Sequence, residues 1–175
     1  MARSGRLTIL GARVLLCVLV AATIGCDRVS KQLAVTNLAG AAPRSMLGGT
    51  VRLEYTENAG GFLSLGADWP VVVRTTVFTG ATGLGLVGLA AFAYSLRRRW
   101  WPLVGLTLFV AGGLSNWVDR VVAGHVVDFM IVGYGPLRTG VFNVADVALM
   151  LGAAIFAAAE TQDWISRRTR YDRPA

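Results

Sequence analysis

Charge is what this chain has least of. Only 15% of its residues are Asp, Glu, Lys or Arg, too few to cover the surface of a soluble domain. Several uncharged runs are also too long for a soluble core. Histidine is almost absent, with His125 the single copy in 175 residues. One imidazole cannot build a zinc site alone, and His125 reads as a solvated or interfacial residue. No serine or cysteine has a histidine placed with it as a base. The two cysteines, Cys17 and Cys26, share the first apolar run. Nine residues of helix hold them roughly 13 Å apart, too far for a bridge within one helix. They read as small hydrophobes, with neither a disulfide framework nor a Cys/His metal spacing.

What the chain has is apolar length. Hydrophobic residues make up 54%, and mean hydropathy is +0.56. The net charge is +7, a balance that often marks nucleic-acid binders. Here the arginines cluster at the ends of apolar runs instead: Arg3, Arg6 and Arg13; Arg97, Arg98 and Arg99; Arg167, Arg168, Arg170 and Arg173. That is the pattern of membrane orientation signals, and no nucleic-acid partner is expected.

Four membrane spans are expected, at about residues 8–30, 71–96, 101–118 and 142–160, in a single domain over residues 1–175. The first follows a basic N-terminus, and Thr23-Ile-Gly-Cys26 faintly resembles a lipoprotein cleavage box. Thr23 stands where that box carries a larger aliphatic residue, so a retained helix is the preferred reading over a removed signal peptide. Gly80, Gly83, Gly85 and Gly88 give the second span small-residue spacing suited to close helix packing. No strand precedes them, so they are not a nucleotide fingerprint.

Residues 34–70 and 119–141 are the expected outer loops. Thr50 to Thr56 alternates and is rich in β-branched and aromatic residues, which predicts a strand in a small extracytoplasmic β platform. Glu57 to Phe62 reads as a glycine-rich turn, in which Asn58 has the composition of an ordinary turn residue. The fold class is thus an all-α membrane protein of four transmembrane helices with a small β platform. Four spans place both termini on one side, and the arginines make that side cytoplasmic.

The polar residues then converge on the outer surface. Asp27 and Lys31 are four apart on one helical face, as an exposed end-of-helix pair would be. Asn116, Asp119 and Arg120 share a face at the end of the third span, and Asn143 and Asp146 share one at the start of the fourth. Asp128 lies between, in the second loop. Polar groups in such apolar sequence call for a function. Two carboxylates held close share a proton, so one can act as base and the other as acid toward water and a peptide carbonyl. Three other uses are compatible with the residues. A metal could sit on Asp119, Asp128 and Asp146. A transporter could relay protons through the carboxylates, although such sites favour the midplane. An assembly factor could use the polar groups as interhelical glue.

Five segments together resemble a known family. They are Asp27-Arg-Val-Ser-Lys31, Asn58-Ala-Gly60-Gly-Phe62, Gly112-Gly-Leu-Ser-Asn116-Trp-Val-Asp119-Arg120, Val126-Val-Asp128-Phe129 and Phe142-Asn143-Val-Ala-Asp146. In this order they are similar to the motifs of lipoprotein signal peptidase (signal peptidase II), a family of bacterial membrane aspartyl endopeptidases. The resemblance implies a hydrolase that removes the signal peptide from diacylglyceryl-modified prolipoproteins by cleaving before the lipidated cysteine. It implies Asp128 and Asp146 as the catalytic pair, with Asp27, Lys31, Asn58, Gly60, Asn116, Asp119, Arg120 and Asn143 shaping the site or binding substrate. The expected partners are the lipidated prolipoprotein and membrane lipids, for a monomer that needs no cofactor and no metal. The expected location is the bacterial cell membrane, with the site at its outer face.

Overall fold

A computed structural model describes residues 2–96 and 99–171; Arg97, Arg98 and Arg173 of the basic clusters lie outside them. The fold is mostly helical. Helix α1 spans Ala2–Leu38. Strands β1 (Arg44–Met46) and β2 (Val51–Asn58) follow. A continuous helical run comes next, made of α2 (Val71–Arg74), a π-helical segment (Thr75–Ala81) and α3 (Thr82–Ser95). Helix α4 is Trp100–Ala123, β3 is Val126–Tyr134, β4 is Leu137–Arg138, and α5 is Val144–Tyr171. Three stretches among the described residues are long and apolar enough to cross a membrane: Val71–Ala93, Trp100–Ala123 and Val144–Thr169.

Local chemistry sets the helix ends. Pro102 sits in the first turn of α4, where a missing N–H has no intrahelical partner to lose. At the other end Gly124 takes φ +79° and donates its N–H to the Arg120 carbonyl, a left-handed stop that glycine adopts without strain. The helix therefore runs past the expected span end at 118, and Asp119 and Arg120 stand on helix instead of opening a loop.

The β platform is larger than the sequence suggests. Four antiparallel strands run in the order β1-β2-β3-β4. The stretch 126–134 was expected as loop and is the longest strand. Its composition, Val-Val-Asp-Phe-Met-Ile-Val-Gly-Tyr, lacks the alternation of a half-exposed strand because both its faces carry buried residues. The β2/β3 register opposes Thr56 to Asp128 and Asn58 to Val126. Ala34 and Leu38 of α1 pack with Phe129 beneath the sheet, joined by Leu53, Tyr55, Val127, Met130 and Val144.

Close helix packing also falls elsewhere than expected. Gly85 and Gly88 face open space, and only Gly83 of the four is crowded, lying against the Trp117 indole. The tight crossing is between α4 and α5. A Cβ on Gly105 would come within 2.7 Å of the Phe156 nitrogen, and one on Gly152 within 2.5 Å of the Gly105 carbonyl. Those two positions let the backbones approach, and α4 with α5 form the most extensive helix pair. One end of that pair carries Asn116, Asp119 and Arg120 on α4 and Asp146 on α5, with Asn143 just before α5.

Candidate active site

The site grows from the start of α5. Asn143 is the N-cap: its Oδ1 accepts the Asp146 N–H at 3.0 Å, and the Asp146 carboxylate accepts the Asn143 N–H at 3.1 Å. This reciprocal pair is a capping box, which satisfies two backbone donors that a helix start leaves unpaired. The same contact fixes the Asn143 amide. Its oxygen faces a backbone donor, so its Nδ2 must point the other way, and it donates to Asp128 Oδ1 at 2.6 Å and Asn116 Oδ1 at 3.2 Å. Phe142 holds the entry to α5 against the sheet by exchanging backbone hydrogen bonds with Met130. Asn143 thus touches both Asp128 and Asp146.

Two further carboxamides are oriented by the same logic. Asn58 Oδ1 accepts the Gly60 N–H at 2.9 Å, which turns its Nδ2 toward Asp128 Oδ2, also at 2.9 Å. Asn58 thus keeps its place as a turn residue through Gly60 and adds a buried contact to Asp128 that the turn alone does not predict. Gly60 has no room for a side chain, because a Cβ would strike the Leu65 carbonyl and lie 2.8 Å from the Ala67 nitrogen. Its own carbonyl is gripped by Arg120 through Nε at 3.1 Å and through Nη2. Asn116 Oδ1 accepts from Lys31 at 2.7 Å, and its Nδ2 therefore donates to Asp146 Oδ1 at 2.9 Å.

Asp128 is 2% exposed and Asp146 8%, and each of their four oxygens receives an N–H from an asparagine amide or backbone. Among the described residues no cation lies at ion-pair distance from either. Burial raises the Asp128 carboxyl above the usual carboxylate range, against the opposing pull of the Asn58 and Asn143 hydrogen bonds and of the Lys31 and Arg120 charges.

Asp27 and Asp119 are held differently. Lys31 Nζ lies 2.6 Å from Asp27 Oδ2 and 2.6 Å from Asp119 Oδ2, and Arg28 pairs with the other Asp119 oxygen. Asp27 also takes the Ser115 hydroxyl at 2.7 Å and the Ala145 N–H at 2.9 Å. The latter places its negative charge at the N-terminus of α5, where the helix dipole favours it. The exposed pair anticipated for Asp27 and Lys31 is in fact buried, at 0% and 5% exposure, because α4 and α5 close over it. The alternative metal set of Asp119, Asp128 and Asp146 does not assemble. Asp119 is turned to Lys31 and Arg28, and among the described residues no three potential metal-binding His, Cys, Asp or Glu gather.

All ten residues singled out from sequence therefore lie in one connected network: Asp27, Lys31, Asn58, Gly60, Asn116, Asp119, Arg120, Asp128, Asn143 and Asp146. Beside it runs an apolar groove of about 590 Å³ lined by Phe62, Phe142, Val147, Met150 and Leu151, with Asp146 in its wall.

Comparison with known proteins decides what carries this network. The family model for signal peptidase (SPase) II matches residues 19–161. This chain belongs to the signal peptidase II family. The lipoprotein signal peptidase of Rhodococcus jostii is 36% identical over 151 residues, covering 82% of this chain and 70% of that protein. That of Streptococcus pneumoniae is 30% identical, covering 88% and 97%, and that of Mycobacterium avium is 34% identical, covering 92% and 89%. Two solved bacterial membrane enzymes share the fold. One gives a TM-score of 0.75 at 22% identity, covering 92% of this chain and 93% of that one; the other gives 0.72 at 24% identity, covering 85% and 94%.

Within this signal peptidase II chain, two residues of the network escaped sequence reasoning. Ser115 and Arg28 complete the shells of Asp27 and Asp119. Each sits one place from a residue already singled out, Asn116 and Asp27, and contacts made across 88 and 91 residues leave no local signal. His125 lies 3.8 Å from Glu57 at the rim and takes no part in the network.

Proposed function

We propose that this chain is an aspartyl endopeptidase that cuts diacylglyceryl-modified prolipoproteins immediately before the lipidated cysteine. One observation carries the reading: two buried aspartates, each held only by neutral amide donors, beside an apolar groove. A carboxylate paired to a lysine has its charge matched by a cation. One held by carboxamides can gain and lose a proton without leaving a cation stranded. Close to one another, the two do not both ionise, and they share one proton.

The ionised partner takes a proton from water as the water oxygen bonds to the scissile carbonyl carbon. The protonated partner gives its proton to the carbonyl oxygen, forming a neutral tetrahedral diol. Collapse returns the diol proton to one carboxylate, the other supplies a proton to the leaving amine, and the carbon–nitrogen bond breaks. The proton count of the pair is restored. Asn58, Asn116 and Asn143 keep both carboxyls in place throughout, so little reorganisation is needed at the moment of reaction.

The lipid on the substrate explains the groove. Each buried methylene of an acyl chain contributes about 0.8 kcal/mol of membrane affinity. That anchoring holds the scissile bond at one depth and orientation, which raises its effective concentration. Helix α1 serves as a fourth span, both termini lie in the cytoplasm, and the aspartates lie at the outer face; the placement of arginine supports this. Reporter fusions after Arg99 and after Gly135 are expected on opposite sides, and matching reports would sink this topology.

The test uses purified protein in lipid with two substrates that differ only in the diacylglyceryl group. Cleavage before the cysteine of the lipidated form, with little cleavage of the bare form and no loss on chelation, is the expected result. Equal cleavage of both, or loss on chelation that added metal restores, counts against the reading.

A further inference from the structure

A second cavity, of about 110 Å³, opens on the other side of the Gly60 turn. It is lined by Ala59, Val71, Arg74, Thr75, Phe78, Thr79, Arg120 and Gly124. Arg74 and Arg120 thus line one small space, Arg120 while donating to the Gly60 and Asn116 carbonyls. Arg120 is balanced by the charges of Asp146, Asp128 and Asp119. Arg74 has no such balance. Its one recorded bond is from Nη1 to the Ala67 carbonyl at 2.9 Å, and among the described residues no carboxylate lies at ion-pair distance from it. Like charges around a confined space favour an anion between them, and guanidinium forks match the oxygens of a phosphate. Arg74 lies in the first turn of the 71–95 helical run, whose free N–H groups also favour an anion. The volume suits a tetrahedral oxyanion with one or two waters, at about 30 Å³ for each water.

We infer that this cavity binds a phosphate group, and that in the membrane the phosphate is the headgroup of an anionic phospholipid. Arg74 stands near the start of one helix and Arg120 near the end of the next, so both lie at the same outer level. This placement rests on the proposed topology, which puts that level among lipid headgroups. The exposed Val71 and Val72 beside Arg74 face the lipid and offer a surface for the acyl chains. The site is coupled to the aspartates by direct contact. Arg120 holds the Gly60 carbonyl, Gly60 holds Asn58, and Asn58 holds Asp128. A bound phosphate would therefore steady the turn that positions Asp128, and anionic lipid should raise turnover.

The experiment pairs a binding readout with an activity readout. Native mass spectrometry of the purified protein with phosphatidylglycerol, phosphatidylcholine or inorganic phosphate reads the site whether or not the protein cuts prolipoproteins. Retention of phosphatidylglycerol over phosphatidylcholine, reduced at least fivefold in Arg74→Gln and kept in Arg74→Lys, is expected. In nanodiscs, adding phosphatidylglycerol to phosphatidylcholine should raise turnover of wild type and of Arg74→Lys but not of Arg74→Gln, whose rate in phosphatidylcholine alone should match wild type. Binding of inorganic phosphate with no preference for the lipid would overturn the lipid assignment. Equal phosphatidylglycerol retention by wild type and Arg74→Gln would overturn the site. Lipid binding as expected in a protein that cleaves no prolipoprotein would leave the site standing and count against the proposed activity alone.

Discussion

Four aspartates are gathered at one end of this helical bundle, and they fall into two unlike pairs. Asp27 and Asp119 face cations, through Lys31 and Arg28. Asp128 and Asp146 face only amides, from Asn58, Asn116 and Asn143, the last through both its side chain and its backbone N–H. Burial alone does not separate them, because Asp27 is as deeply enclosed as Asp128. What separates them is the chemistry of the donors. A lysine at 2.6 Å pairs with its partner's charge and fastens helix to helix. A carboxamide fixes the position of its partner and leaves the charge free to change. Within one small volume, the same side chain is held by cations in one place and by neutral amides in the other.

The comparison breaks most sharply under exchange of the two pairs. Asp128→Asn and Asp146→Asn are each expected to lower the single-turnover cleavage rate by about 10²–10⁴-fold, with helix content and substrate binding retained. A comparable loss in a well-folded Asp27→Asn with normal substrate affinity would dissolve the distinction. Lys31→Met is next. It strands Asp27 in the interior, and loss of one partner of a buried pair costs about 3–5 kcal/mol. Denaturation midpoints should show it, and Asp27→Asn should lose less, because Lys31 keeps Asp119 and Asn116. A Lys31→Met protein as stable as wild type contradicts the fastener role.

How much of this is visible without a structure follows from the same distinction. The aspartates stand out in sequence because charge is rare in apolar runs, and their order along the chain carries the family likeness. Their different surroundings are not visible, because apart from Asp27–Lys31 and Asn143–Asp146 they are made by contacts between residues 15 to 118 positions apart. Asn58 shows the difficulty: a glycine-rich turn explains it locally, and only the β2/β3 register brings it to Asp128. Strand β3 itself is obscured because packing on both faces removes the two-residue alternation. The glycines misled in the second span because spacing reports where backbones could approach, whereas Gly105 and Gly152 are where they do.

Smaller effects sharpen the comparison. Asn143→Ala removes an N-cap and a buried donor to Asp128, together about 2 kcal/mol of stability, and should reduce turnover less than loss of either aspartate does. Melting curves alongside rates per folded molecule separate the two effects. The smallest is a pH trend. Burial raises the Asp128 carboxyl, so the folded state favours its protonated form. That contribution is fully present below the ordinary carboxylate range and is lost as pH rises through the raised value. Asp128→Asn cannot ionise there, so its stability relative to wild type should improve as pH rises through that window. A constant difference across the window would show that Asp128 is not shifted.

The sharing of one proton between Asp128 and Asp146 is read most directly by infrared titration of the carboxyl stretch in lipid at neutral pH. Wild type should show one buried protonated carboxyl. The band should fall away at neutral pH in Asp128→Asn and in Asp146→Asn, because the remaining carboxyl loses its like-charged neighbour and only burial is left to favour the proton, and it should persist in Asp27→Asn. No protonated carboxyl in wild type, or a band that survives both Asp128→Asn and Asp146→Asn, would contradict the account.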